Sequence, residues 1–401
     1  MTSLASDNRP GTRDAFVNYL AMRRSSSAIA ALDGLRAFAI LLVFARHAIR
    51  PFYDGNTPLL PLFGWDLAVP LINGWIGVDL FFVLSGFLIG QSLLRDGGRV
   101  RGRQFRLYVA KRALRIVPAY FAVLLVVAAG LVPLFDVDGR ALGLRVGYHM
   151  LFLQDYLPAD IVVVFWSLGV EEKFYLLAPL VVMLALKMHR RSLQYGLIVG
   201  FVLLGLVARC LTAAAYPDIA TYDAFFPVFR SPFHHCLDAL FVGLLAAFIY
   251  RDRHCWAWAT NRLCLNGLFL LGLSIILWLI SGEAMMGRID YFDKTLQPFV
   301  IAIGMGLVLL ATALGGGPLT FLGSRPLFYL SKLSYSLYLV HLPLLPLALA
   351  LLGLPGGDMA AVRGEILLLF FATYTAFSLA ASMLVHYGIE KPFLVIKGRL
   401  S

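Results

Sequence analysis

Continuous apolar runs of about 20 residues, the length at which a helix crosses a bilayer, recur about ten times in this chain: 35–53, 74–94, 113–134, 165–187, 193–214, 234–251, 263–281, 296–314, 334–353 and 364–388. A lipid-facing barrel strand alternates apolar and polar residues over about 10 positions. These runs do not alternate. A helix satisfies its backbone polar groups within the segment, as hydrocarbon requires. The expected fold is an all-α polytopic membrane protein with about ten transmembrane helices. Only 14% of the 401 residues are charged and 60% are hydrophobic, too little charge to coat a soluble protein of this length.

A net charge of +11 invites a nucleic-acid reading, but the distribution of the basic residues opposes it. They gather in alternate connections: Arg95, Arg99, Arg101, Arg103, Arg106, Lys111, Arg112 and Arg115 after the second run; Lys187, Arg190 and Arg191 after the fourth; Arg251, Arg253 and Arg262 after the sixth. The other connections carry Asp54 and Asp66, then Asp136, Asp138, Asp155 and Asp160, then Asp218 and Asp223, then Glu283, Asp290 and Asp293. The positive-inside rule places both termini in the cytoplasm. Residues 1–30, polar and bearing Arg9, Arg13, Arg23 and Arg24, lack the apolar core of a signal peptide and read as a cytoplasmic tail. Residues 31–393 read as one membrane domain and 394–401 as a short cytoplasmic tail. Cys210, Cys236, Cys255 and Cys264 show no CxxC spacing, so neither a disulfide framework nor a zinc site is expected.

Ionisable residues inside apolar spans are costly and are candidate functional residues by default. Arg36 and His47 share the first run, which places the imidazole about 16 Å along the helix axis from the guanidinium. The pair reads as an anion anchor near one face and a proton-handling group deeper in. The structural alternatives are a topology-setting Arg and an interfacial His flanked by Arg46 and Arg50. In the second run, Gly77-Val78-Asp79-Leu80-Phe81-Phe82-Val83-Leu84-Ser85-Gly86-Phe87 places Asp79 at a depth comparable to His47, where a carboxylate would orient an imidazole. Ser85-Gly86 admits a close ligand or a close helix. Trp166-Ser167-Leu168-Gly169-Val170-Glu171-Glu172-Lys173 sets two acids and a cation within a span. Neighbouring helical residues point about 100° apart, so one Glu faces the site and the other pairs with Lys173 or another helix. Arg112 and Arg115, three apart on one helix face, form a fork suited to phosphate, or to lipid headgroups. His341 reads as a cavity-lining or backbone-bonded residue. The adjacent His234 and His235 do not make a metal site by themselves.

Taken in order, these segments resemble the membrane acyltransferase 3 family. The resemblance rests on Arg36 and His47 in the first run and the Gly77–Phe87 segment. It continues through Arg112 and Arg115, Trp166-Ser167-Leu168-Gly169-Val170-Glu171-Glu172, and Ser334-Tyr335-Ser336-Leu337-Tyr338-Leu339-Val340-His341, to Glu390-Lys391-Pro392. Lys173 stands where the family has Gln. The Arg that some relatives carry near the start of the sixth span is not located here, and His234 and His235 occupy that region.

The resemblance implies an acyl-coenzyme A-dependent O-acyltransferase, usually an acetyltransferase, of a bacterial inner membrane. Its acceptor would be a glycan, a glycolipid or a small hydroxylated compound. Donor phosphates would lie at the cytoplasmic face on Arg112, Arg115 and Arg36, with Ser85 beside the donor. His47 would act as general base, with Asp79, Glu171 or Glu172 orienting it. Trp166, Tyr335 and His341 would contact the acceptor. No metal is implied, and an acyl-His intermediate is the mechanistic variant. The rival reading is a proton-coupled transporter or flippase, which also uses intramembrane Arg, His and Glu.

Overall fold

A computed structural model describes residues 19, 22, 29–55, 58–98, 102–158, 160–282, 289–354 and 364–400. The basic residues of the N-terminal tail, Arg99, Arg101 and Glu283 lie outside them. A long helix occupies each of the ten apolar runs: α1 (Ala30–Ile49), α2 (Gly77–Arg95), α3 (Arg103–Ala128), α4 (Trp166–Lys187), α5 (Arg191–Ala215), α6 (Leu237–Arg251), α7 (Arg262–Ile280), α8 (Leu296–Leu314), α9 (Arg325–Leu351) and α10 (Gly364–Val385). A short helix α11 (Lys391–Arg399) follows. Six helical stretches are long and apolar enough to cross a membrane: Ala68–Arg95, which contains α2, then α5, α7, α8, α9, and Gly364–Arg399, which contains α10 and α11. The chain is a helical integral membrane protein.

Helix starts differ from the apolar runs where charge begins a helix. α3 opens at Arg103, ten residues before its apolar run, and α9 at Arg325, nine before. Hydropathy marks hydrocarbon, whereas backbone hydrogen bonding carries these helices past it. In the connection between α1 and α2, strands β1 (Pro61–Leu62) and β2 (Trp65–Asp66) pair antiparallel, Pro61 with Asp66 and Leu62 with Trp65. Their two-residue turn has positive φ at both Phe63 and Gly64, the mirror-image turn that suits strand twist.

Helix α2 is the centre of the bundle, packed against α1, α4, α6 and α8. Its closest neighbour is α6. A Cβ on Gly86 would sit 2.0 Å from the carbonyl oxygen of Leu240, and one on Gly243 would sit 2.0 Å from that of Val83. The two glycines face each other's backbones, the small-residue packing by which membrane helices approach closely. Of the two readings of Ser85-Gly86, close helix packing therefore describes Gly86. On the other side, α9 packs on α1 and α10. That places the polar stretch of α9 beside the Arg36–His47 face of α1.

Candidate functional site

Two of the cavities between these helices adjoin one another. The first, of about 100 Å³, is lined by Arg36, Arg112, Arg115, Glu171, Ser85 and Tyr335, among others. The second is a vestibule of about 810 Å³ whose walls include His47, Arg46, Arg50, Trp75, Trp166 and Arg230. Val78 and Tyr338 line both, so the cavities meet at these two side chains.

The first cavity gathers five helices, α1, α2, α3, α4 and α9. Arg112 and Arg115 project from α3, and among the described residues neither forms an ion pair. Arg112 lies 5.7 Å from the Tyr108 ring centre and 5.8 Å from that of Tyr175, contacts that orient a guanidinium without neutralising it. Arg36 donates to Ser331 at 3.3 Å and lies 3.8 Å from Asp33. Glu171 accepts from Ser85 Oγ at 2.7 Å and from the Tyr175 hydroxyl at 2.8 Å. Tyr335 donates to the carbonyl of Ile116 at 2.7 Å, tying α9 to α3. The arrangement presents three arginines to one small space, and guanidinium groups suit phosphate and carboxylate.

The vestibule is built differently. The chain enters it through a π-helical turn, Phe226–Arg230, an irregularity that often marks function. The turn aims Arg230 inward, where it donates to Asp79 at 2.9 and 2.8 Å, a two-pronged ion pair. Its guanidinium lies 4.9 Å from the Trp75 ring centre and 5.1 Å from that of Trp166. Arg230, four residues before His234, was not among the candidate residues read from the sequence. Two signals point to it: a single cation ends the aromatic run Phe225-Phe226-Pro227-Val228-Phe229, and Asp79 requires a counter-charge.

His47 is partly exposed to the vestibule. Its Nδ1 lies 2.8 Å from the Val43 carbonyl oxygen and 3.3 Å from Nε2 of His341. The carboxylates expected beside it are engaged elsewhere: Asp79 with Arg230, and Glu171 with Ser85 and Tyr175 in the other cavity. Glu172 lines neither cavity, and its Oε1 is buried without a hydrogen-bond partner. Lys173 pairs with neither glutamate. It donates to Asp155 at 2.5 Å, to the Phe152 carbonyl at 2.6 Å and to that of Gly169 at 3.2 Å. Burial raises the pKa of the Asp155 carboxyl, and the Lys173 ammonium opposes that shift. Of the residues expected at an acceptor, Trp166 lines the vestibule, Tyr335 the first cavity, and His341 neither. His234 Nδ1 lies 2.8 Å from the Tyr156 hydroxyl, and among the described residues no cluster of three metal-ligating side chains occurs.

A cavity lined by three arginines thus meets a vestibule lined by a histidine inside a helical membrane protein. The model of one family, described as an acyltransferase domain, matches residues 29–387, and the chain belongs to the acyltransferase 3 family. It is 25% identical over 349 residues to the putative peptidoglycan O-acetyltransferase YrhL of Bacillus subtilis strain 168, covering 80% of this chain and 49% of that protein. It is 27% identical to O-acetyltransferase OatA of Staphylococcus aureus strain NCTC 8325 / PS 47 (78% of this chain, 50% of that protein). It is 26% identical to peptidoglycan O-acetyltransferase OatA of Listeria monocytogenes serovar 1/2a strain EGD-e (81% and 50%). The chain spans about half the length of the curated relatives it matches. No solved structure matches it.

Proposed function

We propose that this protein transfers an acetyl group from acetyl-coenzyme A, bound in the arginine-ringed cavity, to a hydroxyl of a glycan bound in the vestibule. The observation that carries the reading is the meeting, at Val78 and Tyr338, of a cavity lined by Arg112 and Arg115, which form no ion pair among the described residues, and a vestibule lined by His47. Peptidoglycan is the acceptor that the names of the relatives support. The positive-inside rule puts the Arg112–Arg115 end in the cytoplasm and the vestibule outside, with about ten spans and both termini cytoplasmic. The relatives are bacterial, and the membrane is then the bacterial cytoplasmic membrane.

In this reading Arg112 and Arg115, with Arg36, hold the donor phosphates by charge-assisted hydrogen bonds. The thioester reaches the septum at Tyr338 and Val78. His47 takes the proton of the acceptor hydroxyl as the oxygen attacks the acyl carbon, a general-base contribution of roughly 10²–10⁴-fold. Trp166 and Trp75 offer aromatic faces to a sugar. The alternative course is an acyl group carried on His47, and it differs in one respect: donor alone would then leave labelled acetyl on the protein.

The test is acetyl transfer from labelled acetyl-coenzyme A to peptidoglycan fragments by the full chain in liposomes. Transfer that His47→Ala abolishes supports the reading. A folded protein that neither binds acetyl-coenzyme A nor transfers acetyl overturns it and returns the transport reading.

A further inference from the structure

The protons of two imidazoles are placed by their neighbours. A backbone carbonyl only accepts hydrogen bonds, so the His47 nitrogen 2.8 Å from the Val43 carbonyl oxygen, Nδ1, carries the proton. The lone pair of His47 is then on Nε2. The same logic applies to His341. Its Nδ1 lies 2.9 Å from the Tyr338 carbonyl and 3.1 Å from that of Leu337, so the proton is on Nδ1 and the lone pair on Nε2. That lone pair lies 3.3 Å from the protonated Nδ1 of His47. The His47 N–H is thus shared between the Val43 carbonyl and the His341 ring.

His341 is held firmly. It is fully buried in α9. The Tyr374 hydroxyl donates to its carbonyl at 2.8 Å, and its ring packs beside those of Phe44 and Tyr338. His47, by contrast, borders the vestibule.

We propose that His341 is the positioning residue for His47. It is a neutral acceptor that shares the Nδ1–H of His47 with the Val43 carbonyl and stabilises the imidazolium formed during transfer. The proposal rests on the general-base reading above. In the step itself the acceptor O–H proton passes to His47 Nε2. The new O–acyl bond forms, the thioester C–S bond breaks, and the proton then passes from Nε2 to the departing thiolate. While His47 is charged, its Nδ1–H faces the His341 lone pair. A carboxylate in that position would carry a charge into an apolar span at rest, whereas a neutral imidazole carries none.

Two measurements test this. First, His341→Leu, which removes the acceptor, is compared with His341→Gln, whose side-chain oxygen can take the same hydrogen bond. His341→Leu is expected to lower kcat by about 10–100-fold, the worth of a hydrogen bond to a charged group, while the Val43 carbonyl still holds the proton on Nδ1. KM for donor and acceptor should hold within about twofold, because uniform binding is untouched. His341→Gln should recover about tenfold of the lost rate. A His341→Leu protein with unchanged melting and donor binding that keeps kcat within about threefold would overturn the proposal. Second, ¹⁵N spectra of the unsubstituted protein, with His47 assigned by its loss in His47→Ala, should show Nδ1 protonated and Nε2 bare. The opposite tautomer would overturn the proposal even if His341→Leu did not fold. If His47→Ala itself kept full transfer, the general-base reading would fail instead, and the two failures are distinguishable.

Discussion

Arg209 and Arg230 each hold a carboxylate inside the protein, whereas Arg112 and Arg115 hold none among the described residues. Arg209 pairs with Asp238 and also donates to the Thr295 and His235 carbonyls. Arg230 pairs with Asp79 between two tryptophans. Both are buried, so their guanidiniums are neutralised in place and serve as clamps between helices. Arg112 and Arg115 are partly exposed and line a cavity with Arg36. Removing one member of a buried ion pair strands the other charge. Removing an unpaired arginine in a cavity strands nothing and removes an attraction for a ligand. The location of an arginine in a span therefore says less about its role than the whereabouts of its counter-charge.

The largest expected effect is on the paired side. Arg230→Leu should destabilise the protein by about 3–5 kcal/mol by leaving Asp79 uncompensated, read as a lower melting temperature in detergent. The double change Asp79→Leu/Arg230→Leu should recover most of that loss, because an apolar pair of similar volume replaces a buried ion pair at little cost. If the single and double variants were equally unstable, the clamp reading would be wrong. A comparable loss is expected for Gly86→Leu, whose side chain must displace the α6 backbone at Leu240.

Next comes the unpaired side. Arg112→Ala/Arg115→Ala should raise the Kd for acetyl-coenzyme A by about 100-fold or more, since each charge-assisted hydrogen bond contributes about 1.5–3 kcal/mol. Its melting temperature without ligand should barely move. A large drop in stability would mean that these arginines are clamps as well, and the comparison would collapse. The smallest effect is expected at Lys173→Gln. The amide still donates to the Phe152 carbonyl and to Asp155 but leaves that buried carboxylate without its counter-charge, so the loss should be about 1–3 kcal/mol, with acetyl transfer nearly unchanged.

The helices were legible because apolar runs report hydrocarbon directly, and a span shows itself within its own 20 or so residues. The fork of Arg112 and Arg115 was legible for the same reason, since a three-residue spacing fixes a shared face. The partners were not. Asp79 and Arg230 are 151 residues apart in sequence, and His47 and His341 are 294 apart. No periodicity within one helix specifies which neighbour its polar side chain will meet. The expectation that a carboxylate orients His47 came from matched depth along separate helices. Depth alone does not fix the rotation of each helix about its axis. Lys173 illustrates the same point. It lies next in sequence to Glu172, yet it reaches the connection before α4 and meets Asp155 there.

The central claim is that donor binding and proton transfer belong to different cavities. The most direct measurement is titration of acetyl-coenzyme A into the detergent-purified chain, comparing the unsubstituted protein with His47→Ala and with Arg112→Ala/Arg115→Ala. The account predicts that His47→Ala binds the donor as the unsubstituted protein does, while the double arginine variant loses binding and keeps its fold. Equal loss of binding in both variants, or undiminished binding in the arginine variant, would contradict it.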